Sequence, residues 1–364
     1  MRAERIVARG FRNLADLDLV LPSGGAVFLG PNGHGKTSLL ELLYYPVLFR
    51  SLRGARDSEV ARHGEAGFSL TLTLAEGERP RELSARFRSA GKLKRLALDG
   101  VAPERMSEAI GHWLAVAFLP TDLRLVQGPA AGRRQYLDRV LSLADREYLR
   151  ALSRYRGALA QRNAALRLQR ADLAAAFDLP LASAGAELVR RRISWTKQCF
   201  GRFAAECEGL GELEAMALRY RGDDALTERE QWPAALQRAA SRDAGLGMTT
   251  VGPHRHDLEL RLGGRLLREV GSTGQQRTAA VALKLCERET LAEACGAEPA
   301  LLLDDVFAEL DRGRQERLAA RLAGGAPQTF ITSPREEELP AAFHLESLTV
   351  ACGRVSDPLG RLVA

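Results

Sequence analysis

Residues 30–37, which read Gly-Pro-Asn-Gly-His-Gly-Lys-Thr, constrain this chain more than any other segment. They satisfy the pattern G-x-x-x-x-G-K-[ST], follow the apolar run 26–29 and precede a pattern typical of a buried helix. In such a loop the backbone amides and the N-terminus of the next helix hold phosphate groups, and the lysine reaches the β and γ phosphates of a nucleotide. The order of strand, loop and helix therefore predicts an α/β core that binds ATP.

The ATP-binding set predicted from this segment comprises the whole loop and the residue after it: Gly30, Pro31, Asn32, Gly33, His34, Gly35, Lys36, Thr37 and Ser38. A second segment, residues 300–303 followed by Asp304 and Asp305, is typical of a buried parallel strand that ends in two acids. Asp304 is predicted to bind Mg²⁺ together with the Thr37 hydroxyl. Asp305 is predicted to polarise the attacking water, so Asp305 and Lys36 are the predicted catalytic residues.

A third motif, residues 271–277, reads Gly-Ser-Thr-Gly-Gln-Gln-Arg and opens a predicted helix. It resembles the signature motif of ABC-type ATPases, in which a serine and a glycine at a helix N-terminus complete the ATP site of the partner subunit. The resemblance implies this role for Ser272, Thr273, Gly274 and Gln275. The alternative is a plain helix cap at Ser272. Glu309, Leu310 and Asp311 resemble the D-loop of the same class.

Length and composition narrow the class further. At 364 residues the chain exceeds the size at which single cores stop growing, so more than one lobe is expected. No apolar run long enough for a membrane span and no secretory signal pattern is present, which favours a cytoplasmic protein without a membrane partner. Five cysteines without a C-x-x-C pair favour reduced thiols. The net charge of +6 favours a polyanionic partner. Of the 52 basic residues only five are lysines, and genome composition alone could produce this arginine excess.

The hydrophobic pattern changes twice along the chain. Residues 1–104 alternate as strands do, notably at 68–74, 83–87 and 94–98. Residues 105–245 have apolar spacings of three and four, which predict a long amphipathic helix from about Arg133 to Leu159 and a second one over Leu188 to Cys207, with a break at Pro180 between them. Residues 246–364 return to a mixed pattern. The prediction is an α/β head of ABC type built from both chain ends, with an inserted, mainly helical lobe.

The sequence closely resembles the RecF recombination-repair family, part of the SMC-like branch of ABC ATPases, over nearly its whole length. Besides the ATPase motifs, the resemblance rests on Gly10-Phe11-Arg12-Asn13-Leu14, Phe118-Leu119-Pro120-Thr121-Asp122-Leu123, Arg133-Arg134-Gln135-Tyr136-Leu137-Asp138, Tyr155-Arg156, Gln161-Arg162-Asn163 and Gly252-Pro253-His254-Arg255. It implies an ATP-dependent homodimer on gapped or junction DNA, slow and DNA-dependent ATP hydrolysis, cooperation with the RecR mediator, and help with RecA loading and SOS induction. It also implies adenine or phosphate contact for Arg12 and Asn13, for which solvated turn residues are the alternative.

Departures from these patterns bear on the rival functions. Residues 329–333 lack the histidine that transporter ATPases usually carry, which disfavours a transporter subunit and makes Thr332 or Ser333 the candidate sensor of the γ phosphate. An SMC-like structural ATPase would need a coiled coil of hundreds of residues between the P-loop and the signature, and the helices predicted there are far too short for one. Pro31 and His256 also depart from the family's common residues. His254 and His256 lack further ligands for a metal site. A nucleotide hydrolase without DNA remains an alternative.

Overall fold

The structure is a computed structural model that describes residues 2–75, 80–307, 310–324 and 327–363. The chain forms two compact units. The head unit comprises Met1–Thr121 and Glu287–Ala364, and the inserted unit comprises Asp122–Cys286. The head is therefore built from both ends of the chain. Among the described helices, none is both long and apolar enough to cross a membrane.

Runs of strands and runs of helices follow one another along the chain. The strands are β1 (Arg2–Arg9), β2 (Leu17–Val20), β3 (Gly25–Leu29), β4 (Gly67–Ala75), β5 (Arg81–Arg88), β6 (Leu93–Leu98), β7 (Ala115–Phe118), β8 (Met216–Arg221), β9 (Asp257–Leu262), β10 (Arg265–Leu266), β11 (Ala300–Asp304), β12 (Thr329–Ser333), β13 (Glu346–Ala351) and β14 (Arg354–Ser356).

The helices include several of a single turn. They are α1 (Lys36–Leu48), α2 (Asp57–Val60), α3 (Met106–Ala109), α4 (Arg124–Gln127), α5 (Ala130–Ala144), α6 (Arg146–Arg167), α7 (Ala171–Ala175), α8 (Asp178–Gly209), α9 (Trp232–Leu246), α10 (Leu267–Val270), α11 (Thr273–Cys295) and α12 (Arg312–Ala323). The signature motif lies at the start of α11, and the P-loop lies just before α1.

The six-stranded sheet of the head unit sets the position of the candidate site. Its order is β14-β13-β3-β12-β11-β7, and all neighbours are parallel except β14 against β13. Strands β3, β12 and β11 are buried on both faces, as their apolar sequences predict. Because parallel strands end at the same edge, the P-loop after β3, the two acids at the end of β11 and Thr332 in β12 meet there.

A five-stranded antiparallel sheet of order β2-β1-β4-β5-β6 completes the head unit. The strands predicted at 68–74, 83–87 and 94–98 are confirmed as β4, β5 and β6. One face of the sheet packs on α1 through an aromatic cluster in which Tyr45 lies edge-on to Phe11 and Phe68, with ring centroids 6.0 and 5.3 Å apart. This cluster anchors the helix that follows the P-loop.

The inserted unit differs from its prediction at three places. The single helix predicted from Arg133 to Leu159 is two helices, α5 and α6, because Asp145 is extended and its carboxylate accepts hydrogen bonds from the amides of Glu147 and Tyr148, which caps α6. Pro180 does not interrupt a helix. It lies in the first turn of α8, where the backbone amide that proline lacks would have no acceptor within the helix. A three-stranded sheet, β10-β9-β8, packs with the helices, and β8 was not predicted.

Strand pairing also explains why the two units differ from the boundaries predicted at residues 104/105 and 245/246. Strand β7 lies beyond the first boundary but pairs with β11, so it belongs to the head unit. Strand β9 lies beyond the second boundary but pairs with β8, so it belongs to the inserted unit. Both pairings join segments far apart in sequence, which a local hydrophobic pattern does not reveal.

Candidate nucleotide-binding site

The P-loop begins where β3 ends and has the backbone geometry that its glycines permit. Gly30 has φ +150°, and a Cβ there would lie 2.2 Å from the carbonyl oxygen of Val350. Gly35 has φ +112°, and a Cβ there would meet the Leu14 side chain at 3.0 Å. At Gly30 the loop packs too closely against the backbone of β13 for any side chain, and at Gly35 the left-handed backbone disfavours one. It leads directly into the N-terminus of α1.

Lys36 is 4% exposed and lies folded over the loop. Its ammonium donates hydrogen bonds to the carbonyl oxygens of Gly30 at 2.6 Å and Pro31 at 3.2 Å, and to Asn32 Oδ1 at 3.2 Å. All three acceptors belong to the P-loop itself. The structure thus places the positive charge within the loop, where this motif binds phosphates.

Thr37, Asp304, Asp305 and Thr332 form one hydrogen-bonded network beside the loop. The hydroxyls of Thr37 and Thr332 each lie 2.9 Å from Asp304 Oδ1. The Thr332 hydroxyl also accepts from the Asp305 amide at 3.0 Å and lies 3.4 Å from Asp305 Oδ1. Asp305 adopts a left-handed backbone with φ +48°, which turns the chain at the end of β11. One hydroxyl therefore contacts both acids.

The oxygen pair Thr37 Oγ1 and Asp304 Oδ1 fits a magnesium site. Both are hard oxygen ligands, and they lie 2.9 Å apart at the end of the P-loop. Burial raises the pKa of Asp304 above its ordinary value, the hydrogen bonds from Thr37 and Thr332 oppose this, and the neighbouring charge of Asp305 adds to the rise. A divalent cation would favour the ionised carboxylate.

Ser333, the other candidate sensor, lies away from the acids. Its hydroxyl donates to the Arg335 carbonyl oxygen at 2.7 Å and accepts from the Arg335 amide at 3.4 Å. It thus stabilises the turn after β12. Of the two residues proposed from the sequence, only Thr332 contacts Asp304 or Asp305 among the described residues.

A cavity of about 870 Å³ opens beside these groups, within the size range of ligand pockets. Asn13 forms part of its wall and clamps the P-loop: its Nδ2 donates to the Gly33 carbonyl oxygen at 3.0 Å, and its Oδ1 accepts from the Ser38 hydroxyl at 2.8 Å. The lining residues come from the N-terminal turn, the P-loop, the segment around α2 and the end of β11: Arg12, Asn13, Asn32, Gly33, Gly35, Lys36, Thr37, Ser38, Arg53, Ser58, Glu59, Ala61, Arg62, His63, Gly64, Glu65 and Asp305.

Arg12 lines the cavity, but its guanidinium group is held by protein atoms. It donates to both carboxylate oxygens of Glu41, at 2.9 and 2.8 Å, and to the Glu59 carbonyl oxygen at 2.7 Å. Glu41 is fully buried and also accepts from Ser51. The predicted contact of Arg12 with adenine or phosphate stays a prediction. Glu41 was not predicted as a site residue, although a lone acid among the leucines of α1 could have indicated it.

The turn between β13 and β14 forms an unpredicted support for the loop. The amides of Cys352 and Gly353 donate to His34, the first to Nδ1 at 3.2 Å and the second to the carbonyl oxygen at 2.9 Å. Gly353 has φ +76°, and a Cβ there would lie 2.2 Å from the Asn13 carbonyl oxygen. Its own carbonyl oxygen accepts from the Ala15 amide at 2.8 Å. The turn is thus wedged between the N-terminal segment and the P-loop.

We expect Gly353→Ala to lower the affinity for ATP by roughly tenfold, which corresponds to a loss of about 1.4 kcal/mol in the free energy of binding. The added methyl group must push the turn away from Asn13 and so break its hydrogen bonds to His34. Titration with a fluorescent ATP analogue measures the effect. Gly360→Ala is the matched control, since Gly360 has a similar φ of +77° but no atom within 4 Å of the added group. Equal affinities of the two variants would contradict the prediction.

The signature residues lie in the inserted unit, at the start of α11. Ser272 and Gln275 form a reciprocal cap: Ser272 Oγ accepts from the Gln275 amide at 3.2 Å, and Gln275 Oε1 accepts from the Ser272 amide at 2.9 Å. Ser272 and Thr273 are exposed. The structure therefore shows a helix cap at Ser272, and the predicted contact with a partner's ATP stays a prediction. Of the D-loop, Glu309 lies outside the described residues, and Asp311 caps α12.

His254 and His256 serve the packing of the inserted unit. His254 Nε2 donates to the Thr249 carbonyl oxygen at 2.9 Å, so its Nδ1 accepts from the Tyr155 hydroxyl at 2.6 Å. His256 Nδ1 lies 2.8 Å from the Tyr220 hydroxyl. Burial lowers the pKa of His254 to about 4 and that of His256 to about 3, so both rings are neutral at pH 7.

The P-loop after β3 of a parallel sheet, the acid pair at the end of β11 two strands away and the capped signature helix define the chain as an ATP-binding head of ABC type. It is 36% identical to the DNA replication and repair protein RecF of Herpetosiphon aurantiacus, over 94% of this chain and 96% of that protein. It is 38% identical to the protein of the same name from Anaeromyxobacter sp., over 92% of each. The chain belongs to the RecF family. No family model matches it.

Solved structures agree with this assignment. One described as the recombination mediator protein RecF with ATP in the RecFOR pathway has a TM-score of 0.89 and 28% identity, and the match covers 98% of this chain and 97% of that one. An Smc head domain with an extended coiled coil, bound to part of ScpA from Pyrococcus furiosus, has a TM-score of 0.57 at 15% identity over 98% and 95% of the two chains, and it shares the fold alone.

Proposed function

We propose that the chain is an ATP-gated DNA clamp that holds ATP and Mg²⁺ in the cavity beside the P-loop. The observation that carries this proposal is the network in which the Thr37 hydroxyl, both acids and Thr332 meet beside the loop. The P-loop amides, the N-terminus of α1 and Lys36 would bind the phosphates. The similar solved structure described as RecF with ATP supports the choice of nucleotide.

Each group of the network has a proposed task. Thr37 and Asp304 would hold the Mg²⁺ ion, which neutralises charge on the phosphates when it is bound. Asp305 would accept a proton from the attacking water. Thr332, which contacts both acids, is the better candidate for sensing the γ phosphate. The burial of Asp304 among hydroxyls favours a rigid site, in which charges need little reorganisation.

The partners follow from the family and from the signature helix. We propose that Ser272 and its neighbours contact ATP held by a second copy of the chain, so that the homodimer closes when ATP binds. The names of the relatives support DNA as the partner, and the RecFOR pathway named for a similar structure supports the mediator RecR. Gapped or junction DNA is proposed from the family resemblance. Slow, DNA-dependent hydrolysis would release the clamp after it has helped RecA loading and SOS induction. The proposed location is the cytoplasm.

Gel filtration and DNA titration, each with ATP, with ADP and without nucleotide, test the proposal. We expect a dimer and tight binding to gapped DNA with ATP alone. ADP should give a monomer with weak DNA binding, because it lacks the γ phosphate that joins the two subunits. If ATP changes neither the oligomeric state nor the affinity for DNA, the clamp function is wrong.

Asp305→Asn should leave ATP binding intact and slow hydrolysis by roughly 100-fold or more, since general base catalysis contributes about 10²- to 10⁴-fold. Asparagine keeps the size of the side chain but cannot take the proton. The expected result is a long-lived dimer with ATP on DNA. Phosphate release measures its hydrolysis, and dissociation from labelled DNA measures its lifetime. Asp304→Asn is the comparison variant, because it should weaken binding of ATP with Mg²⁺ instead. Hydrolysis by Asp305→Asn at the normal rate would assign the base to another residue.

A further inference from the structure

The outer face of the five-stranded sheet carries a row of arginines. In the strand register Arg9 lies opposite Ser69, Ser69 opposite Arg86, and Arg86 opposite Arg95, so one row crosses β1, β4, β5 and β6. We call Arg9, Arg86 and Arg95 the arginine row. All three side chains are exposed, and they point away from the face that packs on α1.

This arrangement is unfavourable in the isolated chain. Like charges directly opposite on neighbouring strands destabilise a sheet, and Arg86 and Arg95 are such a pair. Within the described part of the chain, no guanidinium of the arginine row forms a hydrogen bond or an ion pair. Arg5, also on β1, does pair with Asp18. A sheet that keeps three unpaired arginines in one row therefore points to an anionic ligand.

The row lies along a cavity of about 770 Å³. Among the described residues that line it, four are basic and none is acidic or aromatic. Ser69 lies between Arg9 and Arg86, and Thr71 and Ser84 lie opposite each other in the next row of the same face. Their short side chains leave room for a ligand while offering hydroxyl donors. Lys94, the fourth basic residue, is occupied by Asp57 at 3.1 Å. The positive charge available to a ligand comes from the arginine row.

We propose that this face binds the sugar–phosphate backbone of duplex DNA. Arginine and hydroxyl side chains are the usual phosphate contacts, whereas single strands are held mainly by stacking on aromatic rings, and the described lining has none. Four strands span about 14 Å, since neighbours lie about 4.8 Å apart. About four phosphates of one duplex strand occupy that length. The inference rests on the proposed function, because it assumes a DNA partner, and it names the surface that meets the DNA.

The test compares two triple variants in the presence of ATP. One carries Arg9→Gln, Arg86→Gln and Arg95→Gln. The control carries Arg150→Gln, Arg170→Gln and Arg190→Gln, which removes the same charge from exposed arginines that pair with Glu147, Asp172 and Glu187.

Binding to a blunt 30-base-pair duplex is measured against salt concentration. Each lost phosphate contact reduces the slope of log affinity against log salt by about 0.9, so the row variant should lose about 2 to 3 units of slope and bind roughly 100-fold more weakly.

Thermal unfolding separates a binding role from a structural one. Removal of the like-charge pair Arg86 and Arg95 should leave the melting temperature unchanged or raise it, so the row variant loses DNA while keeping its fold. A row variant that binds the duplex with the control's slope would overturn the inference, as would equal loss of binding to polyglutamate, which would indicate an acidic protein partner. Failure of the wild-type chain to bind DNA with ATP would instead overturn the proposed function.

Discussion

Lys36→Met is expected to abolish ATP-dependent closure of the proposed dimer. Methionine nearly matches the length of lysine but carries no charge, so the β and γ phosphates would lose the ammonium that the P-loop presents to them. Breaking a buried charge pair costs about 3 to 5 kcal/mol, which corresponds to a roughly 10²- to 10⁴-fold rise in the Kd for ATP. Equilibrium titration with ATP and gel filtration measure the two effects.

The buried position of Lys36 calls for a control of fold and of charge. Lys197→Met removes the same charge from an exposed position on α8 and should bind ATP like the wild-type chain. Near-identical thermal unfolding of the two variants would show that the fold is intact. If Lys36→Met still dimerises when ATP is added, the P-loop is not the site that gates the dimer.

Ser272→Arg should abolish ATP hydrolysis while the monomer binds ATP almost normally. The proposed site is shared, so Ser272 acts on the nucleotide of the other subunit, and an arginine there would place bulk and charge against its γ phosphate. The substitution also removes the cap of α11, at a cost of about 1 kcal/mol. Ser272→Ala loses the same hydrogen bond without the bulk, and it therefore separates the loss of the cap from the block of the site.

Mixing decides whether the site is shared. In a heterodimer of Lys36→Met with Ser272→Arg, one composite site carries both lesions and the other carries neither, so a fraction of the ATPase activity should return. A covalently linked heterodimer, assayed at high concentration with gapped DNA, should show about half the activity of the linked wild-type dimer. If it stays inactive while the linked wild-type control is active, Ser272 does not act across the interface.

The parts of the site that follow from local sequence were predictable. The strand, loop and helix around Lys36 occur in one continuous segment, and the acid pair at Asp304 follows an apolar run, so the amino-acid pattern alone assigns both to parallel strands. The meeting of Thr37 with Asp304 followed from the rule that parallel strands end at one edge. The choice between Thr332 and Ser333 depends on which hydroxyl contacts the acids, and both residues end the same strand, so the pattern does not separate them.

The parts that depend on distant contacts were not predictable. Asp145 interrupts a continuous apolar periodicity, and only the hydrogen bonds of its carboxylate show that it caps a new helix. The carboxylate of Glu41 is buried because Arg12 and Ser51 converge on it from two other segments. The support of His34 by Gly353 joins residues near opposite ends of the chain. No local pattern carries such information.

The place of β3 in its sheet has a consequence for the order in which the protein matures. Its two neighbours are β12 and β13, so the strand that leads into the P-loop pairs only with segments translated much later. Until residue 329 leaves the ribosome, β3 has both edges unpaired, a state that invites aggregation. The turn that braces His34 is made later still. A ribosome stalled before that point would hold a chain that carries the P-loop motif but has no nucleotide site.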